Sequence, residues 1–314
     1  MRKINLFIVF LLLLFLSGCQ KTTYTGENTG TTCGNITMGA GKFAYGNGFI
    51  YISSPGEIYE YDLATGVSII LETPGSDYAE SMFLSEQDIY YSNGSSLRKM
   101  QKDGKKNDVV IGKTSCRKFF ADGMDAYFMN YIEGDLFHID MQTKKETTLL
   151  SVVNNYYVDD SSIYAVAKPD GEWKLYHSSR ETINFEPIKL SFQPVAVYVD
   201  GENIFLAKQG DFQLIQYTDG VETPLPCHSF FYQVMDASLI YMDDQTNEGG
   251  CFSLKSYDLT TKEERLLCEN VYDFCILEDR YICCQCANPG AATFILIDTQ
   301  TNEMTQMYPT EEEE

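Results

Sequence analysis

The sequence predicts an all-β protein, a β-propeller of four-stranded antiparallel blades. Three observations predict it. A short motif recurs through most of the 314-residue chain. Each copy divides into four strand-like apolar segments separated by turn residues. No stretch after the first eighteen residues carries a convincing helical period.

The recurring motif is Ile-Tyr or a close substitute. It stands at Ile50-Tyr51, Ile89-Tyr90, Ala126-Tyr127, Ile163-Tyr164, Ile204-Phe205, Ile240-Tyr241 and Ile282-Cys283. The successive spacings are 39, 37, 37, 41, 36 and 42 residues. Four residues before each pair is a turn residue, mostly acidic: Gly46, Ser85, Asp122, Asp159, Asp200, Asp236 and Glu278. A short apolar first strand precedes it, as in Phe119-Phe120-Ala121 or Val197-Tyr198-Val199. The pair itself lies on the second strand.

A third strand follows a loop, as in Ile58–Asp62, Leu136–Asp140, Leu254–Asp258 and Phe294–Asp298. Its closing Asp begins a turn, because a carboxylate accepts hydrogen bonds from turn amides. The fourth strand is Val67–Leu71, Asp108–Ile111, Thr147–Leu150 or Arg265–Cys268 in the clearest copies. Four-stranded units of about 39 residues are the signature of propeller blades. One such sheet cannot bury both faces alone. Blades stacked around an axis bury them, and the closed ring leaves only short edges. Residues 43–309 hold seven copies, so seven blades are expected, with six or eight as the alternatives.

The chain begins with Arg2 and Lys3, then an unbroken apolar run from Leu6 to Leu16. A bilayer-spanning helix needs roughly 20 apolar residues, and a shorter run is the size of a signal-peptide core. Leu16-Ser17-Gly18-Cys19 resembles the lipobox of bacterial lipoproteins. That resemblance implies a signal peptide over residues 1–18 and cleavage before Cys19. Cys19 would carry diacylglycerol with fatty-acyl chains such as palmitate. The protein would then sit lipid-anchored on the extracytoplasmic face of a bacterial cell membrane. Residues 19–42, rich in Thr, Gly and Asn, read as a flexible tether. A strand donated to the last blade is the alternative for this segment. Residues 310–314 read as an acidic tail.

The Ile-Tyr repeat resembles the YWTD-type propeller repeat of lipoprotein-receptor ectodomains. It more closely resembles bacterial surface propellers of the DUF5050 and TolB-like kind. The Trp-Thr-Asp that would follow Tyr is absent: Tyr51 precedes Ile-Ser and Tyr241 precedes Met-Asp.

The formal charge is −22, and loss of Arg2 and Lys3 with the signal takes it to −24. Such a chain is excluded from phosphate-driven nucleic-acid binding, which needs clustered Lys and Arg. It is also repelled by anionic headgroups, so the lipid on Cys19 must supply membrane attachment.

Nine cysteines remain: Cys33, Cys116, Cys227, Cys251, Cys268, Cys275, Cys283, Cys284 and Cys286. Export permits disulfides, and an odd number leaves at least one thiol over. Cys283-Cys284-x-Cys286 lacks the paired spacing of a zinc site, so small buried strand residues are expected, with one or two disulfides allowed. No metal site and no cofactor is expected.

His138, His177 and His228 show no metal-ligand spacing, and no nucleophile-elbow or zinc-protease motif occurs. The loop Asp243-Asp244-Gln-Thr-Asn-Glu248 is rich in oxygen ligands. It lacks EF-hand spacing and reads as a solvated hairpin rather than a calcium site. The longest loops between second and third strands fall at 165–174, 242–253 and 284–293. Such loops are where propellers place ligands. Tyr131, Trp173, Asp243, Asp244 and Glu248 are therefore the candidate ligand-facing residues. For Trp173 the preferred reading is cover for its own hairpin.

The first functional expectation is a non-catalytic binding module for a protein or an envelope polysaccharide. The alternatives are a lyase or glycosidase with its site at the central channel, and an assembly factor of an envelope complex.

Overall fold

A computed structural model of the chain describes residues 30–71, 79–104, 107–112, 116–130, 132–243, 251–288 and 291–307. Its strands form six antiparallel sheets, each ordered as in the sequence. The first joins β1 (Phe43–Gly46), β2 (Phe49–Ser54), β3 (Glu57–Asp62) and β4 (Ser68–Leu71). The second joins β5 (Glu80–Leu84), β6 (Asp88–Ser92), β7 (Leu97–Gln101) and β8 (Asn107–Ile111). The third joins β9 (Cys116–Asp122), β10 (Asp125–Asn130), β11 (Leu136–Asp140) and β12 (Glu146–Leu150). The fourth joins β13 (Val153–Val158), β14 (Ser162–Ala167), β15 (Lys174–Ser179) and β16 (Glu186–Ile188). The fifth joins β17 (Pro194–Asp200), β18 (Asn203–Lys208), β19 (Gln213–Thr218) and β20 (Val221–His228).

The sixth sheet has seven strands: β21 (Tyr232–Met235), β22 (Ser238–Met242), β23 (Phe252–Asp258), β24 (Glu264–Leu277), β25 (Tyr281–Asn288), β26 (Ala291–Asp298) and β27 (Glu303–Gln306). Strand β24 serves twice. Its first half pairs with β23, with Leu254 opposite Cys268. Its second half pairs with β25, with Cys275 opposite Cys283. This sheet therefore carries the sixth and seventh sequence repeats without a break between them. The fold is a β-propeller of antiparallel blades.

Apolar clusters lie between consecutive repeats. Ala44 and Tyr51 of the first pack on Met82 and Tyr91 of the second. Phe83 and Tyr90 pack on Phe119 and Phe128, and Tyr127 and Met129 on Tyr156 and Ile163. Val166 meets Val197 and Leu206, Phe205 meets Tyr232, and Ile240 meets Phe274 and Ile282. A last cluster joins the seventh repeat to the first, where the Phe43 and Phe294 rings meet edge-on at 5.9 Å. Burial on both faces of every sheet is what closes the circuit.

The recurring pair occupies the second strand throughout, because successive strand residues point to opposite faces. Ile50 faces the seventh repeat and Tyr51 the second. In the sixth repeat the alternation slips by one. Tyr241 turns back to the fifth repeat, while Ile240 faces the seventh. The turn there is two residues, Asp236 and Ala237, both at positive φ (49° and 58°). The closing Asp of the third strand acts as expected. Asp62, Asp140, Asp258 and Asp298 each accept from the amide two residues on, at 2.7–2.9 Å.

Residues 33–42 are not a tether, nor a strand of the last blade. Helix α1 (Cys33–Met38) is buried along its whole length. It lies on the axis of the ring, against the first strands of the third to seventh repeats. A six-residue helix is too short to show periodicity, and its polar residues Asn35 and Thr37 disguise its burial. Residues 1–18, 19–29 and 310–314 lie outside the described residues. Among the described residues no helix is long and apolar enough to cross a membrane.

Candidate functional site

The innermost strands of a propeller each present an unpaired backbone edge to the axis, and a buried edge needs partners. Here α1 and the residues after it supply them. The Asn35 carboxamide donates to Ile276 O and accepts from Ile276 N–H, both at 2.7 Å. Asn155 bridges in the same way, donating to Thr37 O at 2.9 Å and accepting from Val197 N–H at 2.8 Å. Ser81 N–H and Met82 N–H donate to Ala40 O and Gly41 O at 2.9 and 2.8 Å. Val158 N–H points at Cys33 Sγ, 3.2 Å away. Gly34 is a close approach, since a Cβ there would sit 2.4 Å from the Tyr198 ring.

Charged groups flank the helix where it leaves the axis. The Lys118 ammonium donates to Thr37 O at 2.6 Å. The Asp273 carboxylate accepts from Phe274 N–H at 3.0 Å and, more distantly, from Ala40 N–H at 3.3 Å. Burial raises the Asp273 carboxyl to about 6, against the pull of Lys42 and those amides. The lyase or glycosidase reading places its carboxylates in this channel, and at this level α1 fills it.

The helix also gives the ring a direction. Gly30–Thr32 lie beside Ile276–Asp279, where first and second strands turn, and Tyr45 N–H donates to Gly30 O at 2.8 Å. The chain therefore enters through this face, called lower here. It emerges at the opposite, upper mouth, where Ser53 N–H donates to Lys42 O at 2.9 Å. The upper face carries the loops between second and third strands and the links between repeats.

Trp173 lies on the upper face, half-buried and packed against the cluster between the fourth and fifth repeats. It covers its own hairpin, as preferred from sequence. It also lines a groove of about 240 Å³ with Pro187, Leu190, Phe192 and Pro194. The Lys168 ammonium lies 4.7 Å from the Trp173 ring centre. Asp243 is held in an ion pair with Lys255 at 2.5 Å, and Lys255 also reaches Glu264 at 3.1 Å. Tyr131, Asp244 and Glu248 lie outside the described residues.

Sequence reasoning missed a second upper-face feature. Phe212, Phe230 and Phe231 form a half-buried aromatic chain with ring centres 6.1 and 5.1 Å apart. The Phe-Phe dipeptide between a fourth and a first strand was its only signal.

The histidines stay apart. His177 is inside β15 and meets Ser162 Oγ at 3.1 Å, and His228 ends β20 with Nδ1 2.8 Å from Asp211 O. His138 Nε2 lies 2.6 Å from Asp125 Oδ1 on the lower face. Arg180 is beside it, paired with Asp122 and 3.8 Å from Asp125. Each charge in that group is met by another within it. Among the described residues, no three His, Cys, Asp or Glu side chains are placed to hold a metal ion.

No protein-family model matches the chain. No curated protein matches it either. Solved structures do. The tricorn protease superposes with a TM-score of 0.64 at 11% identity, over 92% of this chain and 36% of that one. A puromycin-hydrolyzing peptidase of Mycobacterium tuberculosis gives 0.64 at 11%, over 92% and 57%. An oligogalacturonate lyase from Vibrio parahaemolyticus gives 0.57 at 13%, over 90% and 93%. The chain thus spans about a third to under two thirds of the two peptidases. At such identities the likeness is one of fold, and fold does not carry function.

Proposed function

We propose that this protein is a lipid-anchored, extracytoplasmic ring of seven blades that binds a protein or an envelope polymer on its upper face, without catalysis. The observation that carries the reading is the path of the N-terminal segment, which enters at the lower mouth and runs up the axis of the ring to the upper one. A lipid on Cys19 would then hold the lower face toward the membrane. The eleven Cα–Cα steps from Cys19 to Gly30 reach at most about 40 Å. The upper face, with the Trp173 groove and the Phe212–Phe230–Phe231 chain, would point away from it. Rigid aromatic surface with a polar rim suits a polymer or a protein surface.

Photo-crosslinking in intact cells tests this. A photoreactive residue at Lys189, exposed on the upper face, should capture a partner. The same residue at Lys145, exposed on the lower face, should not. Capture from Lys145 alone, or from both sites equally, would overturn the assignment of the face.

A further inference from the structure

The cysteines are not evenly spread. Nine described cysteines are all buried, and four of them, Cys251, Cys268, Cys284 and Cys286, fall near the junction of the sixth and seventh repeats. Cys268 ends the first half of β24, opposite Leu254 of β23. Cys284 and Cys286 lie two apart on β25 and so share a face, turned to the same apolar cluster. Cys268 Sγ and Cys286 Sγ are 3.7 Å apart, ordinary contact for two thiols.

We propose that Cys268 and Cys286 form a disulfide in the mature protein, stapling the sixth repeat to the seventh across the strand they share. The bond needs the two sulfurs to close from 3.7 Å to about 2.05 Å. The thiol hydrogens of Cys284 and Cys286 favour the thiolate at Cys268, the form that attacks a disulfide. The two thiols lose their hydrogens as protons, an Sγ–Sγ bond forms, and two electrons pass to the oxidant. That oxidant is another disulfide, of a small thiol or a thiol–disulfide oxidoreductase, which is reduced to two thiols. Cys275 and Cys283 face the other side of the same strands, away from this cluster, and burial raises both thiols.

The occurrence of the bond in cells rests on the extracytoplasmic reading above, whereas its geometry does not. The experiment separates the two. Full-length protein in detergent, reduced and then treated with oxidised glutathione, is alkylated and mapped as peptides without reduction. A peptide pair linking Cys268 to Cys286 should dominate, survive Cys284→Ser and vanish in Cys268→Ser. The oxidised protein should melt about 5 °C or more above the reduced one. A dominant link from Cys268 to Cys284, or full alkylation of Cys268 and Cys286, overturns the pairing. If the pair forms with glutathione but protein taken from cells under rapid alkylation carries both thiols, the geometry stands and the claim for the mature protein falls, while the extracytoplasmic reading is decided separately by whether Cys19 takes a fatty-acid label.

Discussion

Asn35→Ala isolates what the axial helix contributes. It removes two hydrogen bonds and leaves both Ile276 N–H and Ile276 O facing the axis without partners. Asn35 is fully buried, so water cannot replace the carboxamide without opening the ring. Each stranded buried group costs about 1–3 kcal/mol, so the pair costs about 2–6. Alanine's better helix propensity returns only about 0.5 kcal/mol. At roughly 2 °C per kcal/mol for a domain of this size, the midpoint should fall by about 4–10 °C. Thermal unfolding followed by circular dichroism reads it directly. Asn35→Asp offers a second reading. The ionised carboxylate cannot donate to Ile276 O, whereas the protonated carboxyl can, so acidification should restore part of the loss. A midpoint within about 1 °C of wild type in the alanine variant would show that α1 is not docked on the axis as described.

Three further predictions concern Asp273, Phe294 and Cys19. Asp273 has its carboxyl raised to about 6 in the fold, above its usual value near 3.9 when unfolded. The folded protein therefore holds that proton more tightly between about pH 4 and 6, and stability should rise as pH falls through that window, by about 2–3 kcal/mol. Asp273→Asn should lack this rise, and superimposable melting profiles of variant and wild type from pH 7.5 to 4.5 would refute it. Phe294→Ala should cost about 3–5 kcal/mol in denaturant unfolding, because Phe294 is 1% exposed in the cluster joining last repeat to first. A loss under about 1 kcal/mol would mean that this junction is not packed as a core. Cys19→Ser should abolish fatty-acid labelling and release the protein from membranes, and labelling that persists would sink the lipoprotein reading.

Much of the ring was legible in the sequence because its blades are local. Each hairpin pairs neighbours in the chain, so period, turn Asp and alternation are printed within about 39 residues. Asp62, Asp140, Asp258 and Asp298 do what their position implied. The slip of Ile240-Tyr241 was not legible. Ile240 stands three residues past its two-residue turn, whereas Ile50 stands two past the equally short turn at Asn47-Gly48, and that one step of a period-two pattern does not show as text.

The candidate sites were less legible. Trp173 was found because an aromatic in a long loop is conspicuous, but its groove is completed by Leu190 and Phe192 from the link to the next repeat. Asp243 looked like an open oxygen ligand until Lys255, on the neighbouring strand, was seen to hold it. The cysteine-rich run showed its composition but not its pairing, which depends on β24 serving two repeats.

By itself the sequence determined an all-β propeller, its repeat length and the Asp-led turns, since each is a short-range pattern. Only the tertiary structure decided that residues 33–42 fill the axis, which mouth the chain enters and which thiols meet. Those depend on strand edges converging from across the chain, as when Asn35 meets Ile276, 241 residues away. Hydrogen-bond demand at the axis comes from the assembled ring as a whole, and no single repeat carries a sign of it.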